Sequence, residues 1–245
     1  MASRFWVGGT GIWDTTSTAN WSATNGGASG ASAPVSGDTV SFTSSSGGGV
    51  VTASGIGSVQ LGGISCTAGN TTTLTGSVTC AGSVSLISGG TYTGLDLTIT
   101  GNSTLTTASK TISSLSATGN AASNAAISIS AALTVTNALT LGNASNKTVT
   151  LTLPAGATVS VGSMATAQGT DGLHTLNSSS SGSRATLSDT SDTNTLAYLT
   201  VKDIAFTGGA TWTGGTSAMD GGNNTGITGL ASGNTVDSLF FGVVA

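Results

Sequence analysis

Few side chains in this sequence could act as acids, bases or nucleophiles. All nine acidic residues are Asp, and the only histidine is His174. Glycoside hydrolysis normally requires two carboxyl groups at a set separation, and the pairs available include Asp189 with Asp192 and Asp203 with Asp220. A serine-hydrolase triad could use only His174, and the strand–turn–helix elbow that presents such a serine is missing. Because the aspartates lie in Ser-, Thr- and Gly-rich segments typical of turns, we predict no catalytic residues and no enzymatic activity.

Few residues of the sequence are spaced as metal ligands. Asp220, Asn223 and Asn224 could offer oxygen ligands to Ca²⁺, but their spacing does not match an EF-hand loop, and such clusters are ordinary turn formers. Cys66 and Cys80 lie in alternating apolar segments, which favours two buried thiols over a mutual disulfide. No His or further Cys lies at ligand spacing from either of them. The sequence therefore predicts no metal and no cofactor.

The tryptophans are the remaining side chains that could recognise a ligand. Three of the four lie close together near the N-terminus, and their flat apolar rings could either pack together or stack on sugars. We favour packing, as a cap on one end of the fold, with glycan contact as the alternative. The apolar pair Phe240 and Phe241 near the C-terminus could cover the other end of the fold or be buried against a partner protein. The residues considered for capping or interaction are Trp6, Trp13, Trp21, Trp212, Phe240 and Phe241.

The rest of the chain is uncharged and rich in turn formers. Charged residues are 6% of the 245, against about 25% in an average globular domain, and Thr, Ser, Gly and Asn make up more than half. Surface helices need Leu, Lys, Glu and Arg, and five cations cannot form the basic surface that nucleic acid requires. No segment has the roughly 18 apolar residues of a membrane span. Composition therefore predicts an all-β protein that binds neither nucleic acid nor membrane.

Short segments with alternating apolar residues recur across positions 46–165. One series of apolar triplets begins at nearly equal steps, at Val59, Val78, Leu97, Leu115, Leu133 and Leu151. A second, less regular series begins at Ile64, Val84, Leu105, Ala121, Leu139 and Val159. A fixed period of this kind is typical of stacked repeats. We predict a parallel β-helix or β-solenoid with about 18–20 residues per turn, capped at both ends; a β-sandwich or jelly roll is the alternative.

Three regions follow from this interpretation. Residues 1–45 would form a Trp-rich N-terminal cap or attachment segment, 46–165 the solenoid body, and 166–245 a C-terminal β region and cap. Stacked turns bring equivalent outward positions within about 5 Å of each other, where like charges destabilise. The scarcity of charge is therefore what a stacked β architecture favours.

Two segments carry a resemblance to known proteins. The run Arg4–Ser22, continuing to Pro34–Phe42, resembles the opening of a group of tailed-phage structural proteins, and Ala210–Gly226 is similar to their closing piece. The Trp-Gly-Gly and Asn-Trp portions also resemble repeats of autotransporter passenger domains, which are right-handed β-helices. Unlike an autotransporter, this sequence has no recognisable signal, long passenger or membrane barrel. The resemblance implies a virion protein on a β-helical scaffold and supplies no catalytic residues.

We therefore expect a non-enzymatic phage virion protein on the particle surface, assembled in the host cytoplasm. Capsid decoration or a head fibre is preferred, because 245 residues allow one short rod with caps. The expected partners are other virion proteins, such as the major capsid protein or a tail component, and further copies of the chain in a homotrimer. The alternatives are a tail fibre or adhesin that binds host-surface glycan and, less favoured, a tailspike-like depolymerase.

Overall fold

The computed structural model describes residues 1–87 and 89–232. These residues form an all-β solenoid of about eight turns, with a single 3₁₀ turn at Ser44–Ser46, so the predicted fold class is confirmed. The strands are β1 Ser3–Trp6, β2 Gly11–Trp13, β3 Trp21–Ser22, β4 Thr39–Phe42, β5 Gly49–Ala53, β6 Gln60–Leu61, β7 Gly63–Cys66, β8 Thr72–Cys80, β9 Val84–Leu86, β10 Thr91–Ile99, β11 Ser103–Thr107, β12 Lys110–Ala117, β13 Ala125–Ile129, β14 Leu133–Leu141, β15 Val149–Leu153, β16 Thr158–Thr166, β17 His174–Ser178, β18 Ala185–Ser188, β19 Thr193–Leu196, β20 Leu199–Lys202, β21 Ile204–Thr207, β22 Thr211–Gly214, β23 Met219–Asp220 and β24 Ala231–Ser232.

Two long sheets run along the solenoid. The first sheet has 12 strands, in the order β24-β23-β20-β17-β15-β13-β11-β9-β7-β4-β1-β3, and the second has 10, in the order β2-β5-β8-β10-β12-β14-β16-β18-β21 with β6 beside β8. Successive strands pair in parallel, whereas β3 pairs with β1 antiparallel at the outer edge of the first sheet. With about 4.8 Å between strands, the first sheet is roughly 50 Å long.

The strands of the second sheet bend midway. In β10, β12 and β14 the pairing register shifts near the middle of the strand, and the alternation of buried and exposed residues breaks there. Such irregularities bend a strand. In later turns the two halves become separate strands, β18 with β19 and β21 with β22. Each complete turn therefore has three strand segments that enclose one core.

Alternation along each strand produces the core and the polar surface together. Leu61, Cys80, Ile99, Ala117 and Leu141 stack in register inside the second sheet and are fully buried. Their outward neighbours stack as a column of hydroxyls formed by Thr79, Thr98, Ser116 and Thr140. A charged residue repeated along this column would meet its own kind on each adjacent turn. The column therefore matches the low charge of the sequence.

Turn length is less regular than the sequence indicated. Leu97 pairs with Leu115, the next member of the first triplet series, as that series predicted. Leu115 then pairs with Leu139, and not with the next member, Leu133. Leu133 lies on the other half of the second sheet, and Leu151 lies in the first sheet. Beyond Ala117 the first triplet series therefore mixes positions from different faces.

An inserted turn causes this change of spacing. The Asn120 side-chain oxygen accepts the backbone amides of Ala122 and Ser123 at 2.8 and 2.9 Å, which holds this segment in a turn. The second series placed a strand triplet at Ala121, but β13 begins at Ala125 instead. The predicted period describes the pairing of β8, β10 and β12 best, where Thr79 and Thr98 are 19 residues apart. The step grows to 24 between Leu115 and Leu139 and returns to 19 between Ala185 and Ile204.

The three regions named from the sequence are built into one continuous solenoid. Strands β1 and β4 lie within residues 1–45 yet belong to the first sheet, and strands β17, β20, β23 and β24 extend that sheet after residue 165. Over residues 1–87 and 89–232, no helix is long and apolar enough to cross a membrane.

Candidate functional site

The N-terminal tryptophans form a buried aromatic cluster with Phe42. Trp6 and Trp13 are fully buried and Trp21 is 1% exposed. The Trp21 ring packs edge-on against Trp6 at 5.0 Å and against Trp13 at 5.3 Å between centroids. Phe42 lies beneath, 6.3 Å from Trp6 and 6.1 Å from Trp13. Strands β1, β2, β3 and β4 supply one ring each, so the cluster fills the core at the N-terminal end of the rod.

The glycines between the first two tryptophans make room for Asn20. A Cβ added at Gly8 would overlap the Asn20 side chain, and one at Gly11 would lie 3.0 Å from Asn20 Nδ2 and 3.1 Å from the Trp6 ring. The Asn20 backbone carbonyl accepts the Val7 amide at 2.9 Å. The Gly-Gly-Thr-Gly spacing is therefore explained by the close return of the chain that carries β3.

This geometry leaves the indole faces without access to a ligand. Trp212, the fourth tryptophan, is 3% exposed and packs against Phe206 at 5.0 Å. Its Nε1 donates to the Thr207 carbonyl at 3.3 Å. A sugar that stacks on an aromatic ring needs an exposed face, so none of these four tryptophans forms a stacking platform in the described structure. Phe240 and Phe241 lie outside the described residues.

At the C-terminal end the acidic and amide side chains bind one another. Asp203 is buried and accepts Asn223 Nδ2 at 2.6 Å, and this hydrogen bond is the main reason that the pKa of Asp203 is lowered. Asp220 accepts Asn224 Nδ2 at 2.6 Å and the Gly222 amide at 2.9 Å. A general acid requires a raised pKa, and Ca²⁺ requires amide oxygens rather than NH₂ groups. The Asp203–Asp220 pair and the Asp220–Asn224 segment thus have the chemistry of structural turns.

The carboxylates of Asp189 and Asp192 also lie in structural turns and do not form a catalytic pair. Asp189 is buried and accepts Asn194 Nδ2 at 2.8 Å and the Ser191 amide at 3.1 Å. Asn194 in turn accepts the Met164 amide at 2.7 Å. Asp192 is exposed at a positive φ of 72°. Asp189 therefore orders a corner, and the two carboxylates have different environments. Within the part of the chain that the structure describes, no group of three His, Cys or acidic residues could hold a metal ion.

His174 and the cysteines are enclosed by the core. His174 is fully buried, with Nε2 2.6 Å from the Ala167 carbonyl oxygen and Nδ1 accepting the Val149 amide at 2.9 Å. Both ring nitrogens are therefore bonded to backbone. Cys66 and Cys80 are buried free thiols, and burial raises their pKa to about 11 and about 12. The interpretation as buried thiols holds, and the disulfide does not form.

A shallow depression marks the bend of the second sheet. It has a volume of about 260 Å³ and is open to solvent. Its walls are small neutral side chains without a titratable group, namely Thr134, Val135, Thr136, Ser160, Val161, Gly162 and Thr190. Such walls can contact a neutral polar ligand, but they offer no acid, base or nucleophile.

Sequence analysis assigned no structural role to Asn194, which links Asp189 to the Met164 amide, or to Asn20, which packs against Gly8 and Gly11. Both are single Asn residues among many in polar segments, so composition gives no signal for them. The positions of Gly8 and Gly11 around Asn20 were the one usable indication, because closely spaced glycines mark a close approach of chain segments.

Known proteins add no assignment to this geometry. Comparison of the chain finds no matching family model, no similar curated protein and no similar solved structure.

Proposed function

We propose that this chain is a non-enzymatic structural protein, a short rod exposed on the surface of a tailed-phage particle. The observation that carries the structural role is the arrangement of reactive side chains. The rings of Trp6, Trp13, Trp21 and Trp212 are packed inside, and Asp203 and Asp220 are bonded to neighbouring amides. The outward column of Thr79, Thr98, Ser116 and Thr140 presents neutral hydroxyls, a surface suited to stacking and contact.

The placement on a phage particle rests on the resemblance of two segments. In the solenoid, residues 4–42 build the N-terminal end and residues 210–226 contribute to the C-terminal end. The features shared with tailed-phage structural proteins therefore coincide with the parts that close the rod. Capsid decoration or a head fibre is preferred over a tail fibre, because the described residues form one continuous short rod of roughly 50 Å.

Location and copy number test this proposal. Particles purified from the source culture are labelled with antibody against the protein, and its copies are counted by quantitative mass spectrometry against the major capsid protein. A copy number similar to that of the capsid protein supports decoration, and a handful of copies supports a tail fibre. Absence of the protein from purified particles overturns the virion proposal.

Self-association belongs to the same proposal. Ile227 and Leu230 are half-buried and pack against the end of the core, so further apolar surface there can be covered by another chain. We propose a homotrimer that contacts the major capsid protein or a tail component. Light scattering of the purified full chain measures its mass, and a monomer at all concentrations tested contradicts the trimer.

The alternative of a glycan-binding fibre or adhesin needs a surface other than the tryptophans. The depression around Thr134 and Ser160 is the feature that favours it, since a neutral polar hollow suits a neutral sugar. Binding of host polysaccharide by the wild type and its loss in Thr134→Trp, which would fill the hollow, support this alternative. Release of reducing ends from host capsule would instead support a depolymerase.

A further inference from the structure

His174 connects three segments of the chain at one corner of the solenoid. Its backbone amide donates to the Tyr198 carbonyl at 2.9 Å on the next turn. Its Nδ1 accepts the Val149 amide at the start of β15, on the previous turn. Its Nε2 faces the carbonyl of Ala167, just after β16. We call His174, Val149 and Ala167 the His174 corner.

The two hydrogen bonds of the ring require one neutral tautomer. A backbone carbonyl can only accept, so Nε2 must carry the proton that is shared with Ala167. A backbone N–H can only donate, so Nδ1 must be unprotonated towards Val149. A second proton on the ring would place two donors face to face at 2.9 Å. The buried Val149 amide would then lose its acceptor, which carries the full cost of an unpaired buried group.

The packing leaves the ring little freedom to turn away. A Cβ at Gly142 would overlap the imidazole, and one at Gly169 would lie 3.1 Å from its Cε1. These two glycines therefore let the ring lie flat against the backbone of the turns after β14 and β16. Relief of a donor–donor contact requires movement of the backbone, because the side chain has no free space.

The charged side chains of Asp171 and Lys147 lie beside the His174 corner. Asp171 accepts the Thr148 amide at 3.0 Å and pairs with Lys147 Nζ at 3.1 Å. Burial lowers the pKa of the His174 imidazole from its usual 6.5, and it outweighs the hydrogen bond to the Ala167 carbonyl and the Asp171 charge, which both raise that pKa. On the next turn, Tyr198 and Lys202 are the titratable residues at the two ends of the segment that pairs with β17. Side chains of Asp171 and His174 thus hold two consecutive amides of the previous turn.

We infer that the His174 corner is an acid-sensitive clamp: protonation of the imidazole breaks its hydrogen bond with Val149 and opens the turn before β15. A group whose pKa is lowered by folding stabilises the fold above its unfolded pKa and loses that effect as the pH falls. The clamp is therefore closed above about pH 6.5 and opens progressively below that value. This property does not depend on where the protein is located.

The chain contains one histidine, so its titration can be followed without assignment of overlapping signals. Nitrogen-15 NMR of the histidine ring in the full chain measures its tautomer and its pKa. We expect the Nε2-protonated tautomer at neutral pH and a midpoint below 6.5. Titration at or above that value, or the Nδ1-protonated tautomer, overturns the inference without any variant.

Hydrogen exchange then tests the opening. After correction for intrinsic exchange, protection of peptides covering residues 142–149 should be constant above about pH 6.5 and fall below it, by up to about tenfold for each pH unit below the unfolded pKa. His174→Gln, which carries no titrating group, should remove this pH dependence, whereas Asp171→Asn should retain it. If His174→Gln does not fold, the wild-type profile decides: unchanged protection across the histidine titration overturns the clamp. An unchanged profile in a folded His174→Gln protein overturns it as well.

Discussion

Within the described residues, the first and the last turns of the solenoid are built in different ways. In the N-terminal turns, Trp6, Trp13 and Trp21 fill the core, and the antiparallel strand β3 covers the edge of the first sheet. In the last described turns, the aromatic pair of Phe206 and Trp212 is followed by segments in which Ile227 and Leu230 are half-buried. The backbone approaches closely there, since a Cβ at Gly226 would overlap the Phe206 carbonyl. The N-terminal turns are therefore filled by side-chain volume, and the last described turns by close backbone packing.

The largest expected effect comes from removing the centre of the aromatic cluster. Trp21→Ala should lower the free energy of unfolding by about 4 kcal/mol, because the cavity would be enclosed by Trp6, Trp13 and β1. Trp212→Ala should cost less, since half-buried neighbours can relax into the space. Urea denaturation followed by far-ultraviolet circular dichroism measures both. Equal decreases in the free energy of unfolding for Trp21→Ala and Trp212→Ala would contradict the difference between the N-terminal and the last described turns.

Close backbone approach at the C-terminal end can be tested with two glycines. Gly226 has a φ of 75°, and a Cβ there would overlap the Phe206 carbonyl; Gly182 has a φ of 77° with open space around it. Gly226→Ala should cost about 3 kcal/mol, from overpacking added to backbone strain. Gly182→Ala is the matched control with strain alone, about 1 kcal/mol. Thermal melts compare the melting temperatures of the two variants. A smaller decrease for Gly226→Ala than for its control contradicts close backbone packing in these turns.

Two leucines compare burial near each end. Leu61, in the first complete turn, is fully buried, and Leu61→Ala should cost about 3 kcal/mol. Leu230 is half-buried, so Leu230→Ala should cost about 1 kcal/mol. Denaturant midpoints give the order directly. A cost at Leu230 that equals the cost at Leu61 would contradict the half-buried position of Leu230.

The smallest expected effect is a pH dependence of the C-terminal end. Asn223 lowers the pKa of Asp203 from 3.8, so the charged carboxylate stabilises the fold above that value, and the effect is lost as the pH falls through the lowered pKa. Asp203→Asn should therefore lower the melting temperature at neutral pH and by progressively less in acid. Asp192→Asn, at an exposed site, serves as control. A melting temperature shifted equally at all pH values would point to a steric effect.

Much of the fold could be predicted from the sequence because alternation and period are local properties. Leu97-Thr-Ile99 buries its apolar pair as any alternating strand does. The pairing of Leu115 with Leu139 could not be predicted, since it depends on a turn held by the Asn120 side chain. One Asn among the many in the chain carries no mark of that role.

For the candidate sites, the residue types could be identified from the sequence, whereas their hydrogen-bond partners are known only from the structure. The favoured capping role of the N-terminal tryptophans rested on their spacing, and the structure adds that their rings lie in the core. That Asp189 binds Asn194, or that Asp203 binds Asn223, depends on which turns meet at a corner. Sequence distance does not encode that meeting.

The sequence by itself determined that the chain is all-β, stacked and almost free of charge, because alternation sets the buried face and repeated turns penalise repeated charge. Only the tertiary structure decided the pairing register, the difference between the first and the last described turns and the environment of His174. These features arise from contacts between residues on different turns, such as His174 with Val149. Their energies depend on packing and burial, which exist only once the turns are stacked.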